Sequence, residues 1–349
     1  MIERCFMQLA DEKLRLPLTS FPNGWFCIAY SDEIKPEEVK PLHYFGRDLV
    51  LFRSKSGTPY VFDAHCPHLG THLGYGGKVK GENIQCALHG WCFDGNGNCI
   101  NIPYASKMPP NIQARSWSVR EMHGVIMVYY HSHGSPPDWE IPELPEEPID
   151  GNWGPFVKIL HRKARTHIQD VTQGDCDLVH AKTIHRAVYI AECENIEIKG
   201  PLLYHLYSLF VKVPFPVSLI LGKELKIFFD FVHCGMGYLF IKQIAHEEKG
   251  SPFQILRVFN TPIDDEYCET RIVSSIKQIV NKPITNALIP LIIYSTRIAY
   301  EEDLPILENR SRCNSPLLSY GDGPIAKYRR WARQFYPSEY FVTSKPLNS

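Results

Sequence analysis

The first third of the chain is written in short apolar and β-branched runs, not in long helical periods. GWFCIAY (24–30), DLVLFRS (48–54) and PYVFDAH (59–65) are each of strand length. Turn formers separate them, Ser31-Asp32 after the first and Ser56-Gly57 between the second and third. Runs bounded in this way predict strands of a small antiparallel barrel or sandwich. Asp94-Gly95 and Asn96-Gly97 add strong turn signals, and VIMVYYH (125–131) predicts a closing strand. An N-terminal segment (1–23) and a β domain (24–134) follow from this pattern.

Next comes a Pro- and acid-rich bridge, GSPPDWEIPELPEEPIDG (134–151), a composition that cannot build a core and predicts an extended linker over 135–151. A second domain, 152–349, opens with the strand-like WGPFVKILHRKART and turns helical through QDVTQGDCDLVHAKTIH (169–185). Beyond it LLYHLYSLFVKVPF, KELKIFFDFVH, GYLFIKQIAH, FQILRVFNTPI and CETRIVSSIKQIV predict one large antiparallel sheet. Pro290 can open a helix that runs to about Asp303, with Pro305 as its stop. The fold class is α+β, a sheet with helices packed against one side.

With 349 residues and 44% hydrophobic content, the chain is long enough for two domains with sizeable cores. Its formal net charge of −1, from 37 basic and 38 acidic residues, gives no reason to expect nucleic acid or an anionic membrane surface as partner. Eleven cysteines are an odd number in a long chain, which predicts mostly free thiols in a reducing compartment. MIERCFMQLADEKLRL carries charges where a secretory signal needs an apolar core, and the apolar stretch 287–294 is far short of the roughly twenty residues of a bilayer span. A soluble, cytoplasmic protein is the expectation.

The chemistry concentrates in CPHLGTHLGYGGKVKGENIQCALHGW (66–91). One residue separates Cys66 from His68 and two separate Cys86 from His89. Two Cys–His loops at this spacing predict a Rieske [2Fe-2S] site, in which two imidazoles replace two thiolates on one iron and raise the potential. Pro67, Gly70 and Gly90 allow backbone amides to approach the sulfides. Two Cys and two His also satisfy tetrahedral zinc, but zinc sites usually pair like residues and here each loop mixes one of each. Cys92 and Cys99 have no place in the pattern and are expected as small buried residues or a disulfide.

A second loaded stretch is Asp177-Leu178-Val179-His180-Ala181-Lys182-Thr183-Ile184-His185. Asp177 and His180 are three apart and would share a helical face. His185 lies about 140° round an ideal helix from His180, so the helix must end or bulge near Thr183 if both rings are to meet one metal. Paired histidines in a helix are more often surface or core residues than ligands. A Rieske cluster one domain upstream changes that balance, since it best serves a partner that consumes single electrons. Non-haem Fe(II) that activates O2 is held by two His and one carboxylate.

These cluster loops, the Asp177–His180–His185 run and the segment EEDLPILENRSRCNSPLLSYGDGPIAKYRRWARQFYP (301–337) carry a resemblance. Over nearly its whole length the chain resembles the oxygenase component of Rieske non-haem iron oxygenases. Within them it is similar to the branch containing 3-ketosteroid 9α-hydroxylase, the sterol 7-desaturases and aminopyrrolnitrin-type N-oxygenases. The resemblance implies a Rieske β domain followed by a helix-grip (START-like) catalytic domain. It implies Cys66, His68, Cys86 and His89 on the cluster, and His180, His185 and Asp303 on a mononuclear Fe(II), with Glu301, Glu302 and Glu308 as neighbouring carboxylates. It gives Asp177 a bridging role between an iron-ligand His and a cluster His of the neighbouring subunit, and hence a homotrimer. One departure stands out: Gln173 and Gly174 occupy positions where the family commonly has an acidic residue and Asn.

The function so implied is a terminal oxygenase using O2 and electrons from a separate NAD(P)H-dependent reductase, with or without a ferredoxin between. Its substrate would be a large hydrophobic molecule such as a sterol or steroid, mono-hydroxylated, with the aromatic strands of 204–241 as candidate pocket lining. N-oxygenation, desaturation or oxidative cyclisation of an aromatic amine or alkaloid-type metabolite is the alternative. A reading of another class is a Rieske electron carrier with no catalytic iron.

Overall fold

A computed structural model describes residues 21–143, 152–185, 189–190, 194–212, 218, 223–245, 250–278, 281–311, 316–319 and 322–338. The segment before residue 21 and the second half of the Pro-rich bridge lie outside the described residues. The chain forms two compact units, one of residues 21–138 with 261–264, the other of 139–260 with 265 onward.

The first unit is built from three small sheets: β1 (Gly24–Tyr30), β10 (Val125–Tyr130) and β9 (Val119–Met122); β2 (Val39–Tyr44), β3 (Arg47–Arg53) and β4 (Pro59–Asp63); and β5 (Lys78–Lys80), β6 (Asn83–Gln85), β7 (Cys92–Phe93) and β8 (Cys99–Asn101). β2 carries Lys, Pro and His in six residues, and β5 to β8 are two or three residues long. Neither group has an apolar run to announce it. The β2–β3 turn has Phe45 and Gly46 both at positive φ, the pattern of a type I′ hairpin. Phe45 is an unusual residue there, held by stacking on Tyr130 at 4.7 Å and Trp117 at 5.7 Å. The backbone amides of Phe45 and Gly46 donate to the carbonyls of Pro262 and Ile263, so the end of a strand from the second half of the sequence belongs to this unit. Arg53, nearly buried, makes a two-pronged ion pair with Glu121 at 2.7 and 2.9 Å.

The second unit centres on an eight-stranded sheet. Its order is β11 (Val157–Ala164), β18 (Cys268–Ile276), β17 (Pro252–Pro262), β16 (Tyr238–Ala245), β15 (Glu224–Cys234), β14 (Leu202–Lys212), β12 (Tyr189–Ile190), with β13 (Glu194–Lys199) also on β14. On β14 the odd residues Leu203, His205 and Leu209 are buried, and on β15 the odd residues Phe231 and His233 are buried in register with them. Residues of one parity share one face of the sheet, termed the inner face, and Ser208, Val232 and Cys234 of the other parity are buried too.

Among the described residues four helices accompany the sheet: α1 (Ile168–Gly174), α2 (Leu178–Thr183), α3 (Lys282–Asn309) and α4 (Ile325–Ala332). Ala181 of α2 packs on Leu209, Tyr207 and Phe229, while Ile293 and Tyr300 of α3 pack on the cluster around Phe231 and Ile241. α3 corrects the expectation of a helix from Pro290 to Asp303. It begins at the cap Asn281, whose side chain accepts from Ile284 N at 3.0 Å, and runs through both Pro290 and Pro305. Both prolines lie on the exposed side, where water can take the carbonyl that each ring strips of its donor. Cys92 and Cys99 are separate thiols, buried and half-buried, in adjoining strands, and none of the eight described cysteines is in a disulfide. Among the described residues no helix is long and apolar enough to cross a membrane.

Candidate functional site

The two Cys–His loops repeat one backbone design. Cys66 N donates to Thr71 O at 2.9 Å and Gly70 N to Cys66 O at 2.9 Å; in the second loop Cys86 N donates to Trp91 O at 2.8 Å and Gly90 N to Cys86 O at 3.1 Å. Each knuckle closes through a glycine at positive φ, +76° for Gly70 and +74° for Gly90, a region costly for any other residue. At Gly90 a Cβ would also come within 3.0 Å of Pro103.

Both cysteines are buried in the core of the unit with Val79, Ile84 and Phe93, whereas His68 and His89 are half-exposed with ring centroids 4.8 Å apart. His68 stacks flat on Trp91 at 4.4 Å, and the Trp91 indole N–H donates to Tyr104 Oη at 2.9 Å. Burial, and the Cys86 thiol beside it, push the Cys66 thiol up to about 11. A cationic centre relieves that cost by taking both sulfurs as thiolates. Two thiols inside and two imidazoles outside fit the two ends of a [2Fe-2S] rhomb.

The second site is assembled on α2 and α3. Asp177 is the N-cap of α2, not a residue on its face: its backbone is extended and its carboxylate accepts from His180 N at 3.4 Å. His180 Nδ1 donates to the Asp177 carbonyl, which turns Nε2 outward. α2 stops at Thr183, and the turn that follows swings His185 back until the two rings lie 5.1 Å apart. His180, His185 and Asp303 present ligating atoms that all fall within 4.8 Å of one another.

Three consecutive carboxylates of α3 separate by direction. Glu301 is held by Arg297 at 2.9 Å and Arg162 at 3.3 Å, Glu302 accepts from His185 Nδ1 at 3.2 Å, and Asp303 stands 3.5 Å from His185 Nε2. Asp303 and, further down, Glu302 raise the His185 pKa. Two imidazoles, each with Nδ1 occupied, and one carboxylate are the donor set of a non-haem iron with open positions.

Sequence reasoning did not assign Glu302 its place behind His185, because i and i+1 carboxylates look alike until the helix direction is known. It also passed over Asp175, whose carboxyl is pushed up to about 8, first by burial and then by the charge of Asp303. Gln173, at one of the positions that depart from the family pattern, is buried and accepts from Arg329 Nε of α4 at 2.7 Å. Gly174 has open space where a Cβ would stand, so packing does not demand it.

Two Cys–His knuckles suited to a [2Fe-2S] cluster and a separate two-His, one-carboxylate cluster on helices that back a sheet define an iron-dependent redox protein. The Rieske [2Fe-2S] domain family matches residues 24–118, and the 3-ketosteroid 9alpha-hydroxylase C-terminal domain family matches residues 128–336. Cholesterol 7-desaturase nvd 1 of Ciona intestinalis is 31% identical, over 90% of this chain and 69% of its own length. Cholesterol 7-desaturase nvd of Drosophila melanogaster is 28% identical over 94% and 78%. A 3-ketosteroid-9-alpha-monooxygenase oxygenase component of Rhodococcus rhodochrous is 27% identical over 94% and 86%.

Among solved structures, dicamba monooxygenase bound to 3,6-dichlorosalicylic acid superposes with a TM-score of 0.72 at 18% identity, covering 94% of this chain and all of that one. NdmA of Pseudomonas putida CBB5 with caffeine gives 0.69 at 17%, covering 88% and 89%. These two speak for the fold. The chain belongs to the Rieske non-haem iron oxygenases, as an oxygenase component with a catalytic domain of the 3-ketosteroid 9α-hydroxylase type. It is an oxidoreductase, and residues 24–118 are its Rieske [2Fe-2S] domain.

Proposed function

We propose that the chain is the terminal oxygenase of a multicomponent system that oxidises an unactivated C–H bond of a sterol or steroid. The observation that carries this reading is the convergence of His180, His185 and Asp303, in a chain that also bears a complete pair of Cys–His knuckles. An electron carrier has no use for the second set. In this reading 24–134 is the cluster domain, 135–151 the linker and 152–349 the catalytic domain.

Cys66, Cys86, His68 and His89 would hold the cluster, and His180, His185 and Asp303 the iron. When bound, these groups supply single-electron transfer and O2 activation. The rest is the work of the chain itself. The Asp177 carbonyl and Glu302 keep Nδ1 protonated on His180 and His185, so that both rings offer Nε2. Tyr207, Phe229 and Phe231, stacked at 5.0 to 5.3 Å on the inner face beside Ala181, form an apolar wall suited to a flat polycyclic body. Such a wall keeps water from the reacting bond and fixes which carbon is presented.

Asp177, the N-cap of the helix that carries His180, would take the bridging role to a cluster histidine of a neighbouring subunit, which requires a homotrimer. Electrons come from a separate NAD(P)H-dependent reductase, directly or through a ferredoxin, in a cytoplasmic setting.

Hydroxylation consumes O2, two electrons and two protons and yields the alcohol and one water; desaturation from the same inputs yields the alkene and two waters. The desaturase relatives favour the second outcome as an alternative product of one site. The test is iron and acid-labile sulfide per chain in anaerobically purified protein, followed by turnover of sterols and steroids with a surrogate reductase. Three irons and two sulfides with substrate-dependent O2 uptake support the reading. Two irons and two sulfides after Fe(II) reconstitution, with no uptake, would return the protein to the carrier class.

A further inference from the structure

A second set of ligating side chains lies on the inner face of the same sheet. In the β14–β15 register His205 stands opposite Phe231, which places His233 diagonally beside it on one face. Their Nε2 atoms are 3.1 Å apart, and Cys176 Sγ, from the turn between α1 and α2, is 3.9 Å from His205 Nε2. All three ligating atoms fall within 4.8 Å of one another.

We infer that Cys176, His205 and His233 form a further metal site, apart from the cluster knuckles and the His180 set, for one thiophilic cation, Zn(II) or Cu(I). Tetrahedral bonds of about 2.0–2.1 Å to nitrogen and 2.3 Å to sulfur give ligand edges of about 3.3 Å between nitrogens and 3.6 Å from nitrogen to sulfur. The observed separations lie close to these. One thiolate and two imidazoles select a soft cation over Fe(II), which the two-imidazole, one-carboxylate set at His180 suits better.

The surroundings agree. His205 and His233 are 3% and 0% exposed, in a shell of aromatic rings: Phe231 stacks on His205 at 4.4 Å, and Trp331 of α4 meets His233 at 5.9 Å. Burial keeps both rings neutral, His205 down to about 3, so each retains a lone pair. A cation at the three-way junction engages both Nε2 atoms at once, and the Cys176 thiol releases its proton on binding.

The site would act as a staple. Cys176 immediately precedes Asp177, so the cation ties the chain that enters α2 to the central strands. Four residues along β14, Leu209 supports Ala181 of that helix. Loss of the staple loosens the segment that carries His180 and His185 while leaving the cluster knuckles, which belong to the other unit, intact.

The test is metal analysis of the full-length, anaerobically purified chain. One equivalent of zinc or copper per chain, beyond iron, is expected, and Cys176→Ser and His205→Phe should each lose it while keeping the Rieske EPR signal. Zinc-depleted wild type given Co(II) should develop a thiolate-to-cobalt charge-transfer band that Cys176→Ser lacks. X-ray absorption on the wild type needs no variant to fold: a shell of one sulfur and two nitrogens at the zinc or copper edge is expected, and the edge tells which cation is native. Absence of both metals with no cobalt band overturns the inference. So does a shell of nitrogen and oxygen alone, or zinc retained in full by Cys176→Ser.

Discussion

In the cluster unit each Cys–His pair lies inside one knuckle, and the amide that closes it belongs to a glycine four residues after the cysteine. In the catalytic unit His185 meets Glu302 across 117 residues of chain, and Asp303 comes from the same distant helix. The knuckles are local and sunk in a core of their own, so their geometry depends on two turns and a few strands. The iron-site geometry depends on how α2 and α3 each seat on a large sheet. Local sites are robust and legible, whereas assembled sites are adjustable, which suits a pocket that must accept a particular substrate.

Cys86→Ser should break the contrast most severely. It removes one of the four proposed cluster ligands from a buried knuckle, and the expected outcome is complete loss of the Rieske EPR and visible spectrum. His185→Ala acts on the other side: the cluster spectrum should be unchanged, while mononuclear iron and substrate-dependent O2 uptake fall to background.

Glu302→Gln sharpens the comparison, because it changes only what stands behind a ligand. A loss of about 10- to 100-fold in Fe(II) affinity is expected by titration, with the cluster untouched. An unchanged affinity would remove Glu302 from the site.

The same carboxylates set a pH dependence. Protons compete with iron for His185, whose pKa is raised first by Asp303 and also by Glu302. Iron loading should therefore weaken as pH falls through that raised value, and Glu302→Gln should move the loss to lower pH. In the metal-free protein the sign of the stability contribution is that of a raised His. It is fully present below the ordinary histidine value of about 6.5 and lost as pH rises through the folded one.

The smallest effect is expected in the first unit away from its ligands. Arg53 lowers the Glu121 pKa through its hydrogen bonds. Glu121→Gln should cost the unit about 1.5–3 kcal/mol by denaturant unfolding, without altering the cluster spectrum. In the wild type that stabilisation is present above the ordinary glutamate pKa and fades as pH falls through the depressed value.

Chain order alone carried the Cys–His knuckles, the glycines that close them, the antiparallel strands with apolar runs and the need for a helix break near Thr183. Each is a local property, written within a few residues and fixed by backbone geometry. Other features had no local signature. β2 and β5 to β8 are too short or too polar to stand out, and their strands exist because neighbours supply the hydrogen bonds. Pro290 and Pro305 read as helix boundaries and are instead tolerated inside α3, since that helix is held by its packed face while the prolines point to water.

The local pattern of the chain carried the expectation of a [2Fe-2S] site, the four residues proposed to hold it, and the requirement that two histidines near residue 180 come together if they are to meet one metal. Packing decided that Glu302 meets His185 Nδ1 while Asp303 stands at Nε2 and Glu301 turns to arginines, that Asp177 caps the helix, and that Cys176, His205 and His233 meet at all. The physical reason is common to all three. Direction round a helix and register across a sheet convert positions far apart in the chain into neighbours, and neither is set until the elements pack.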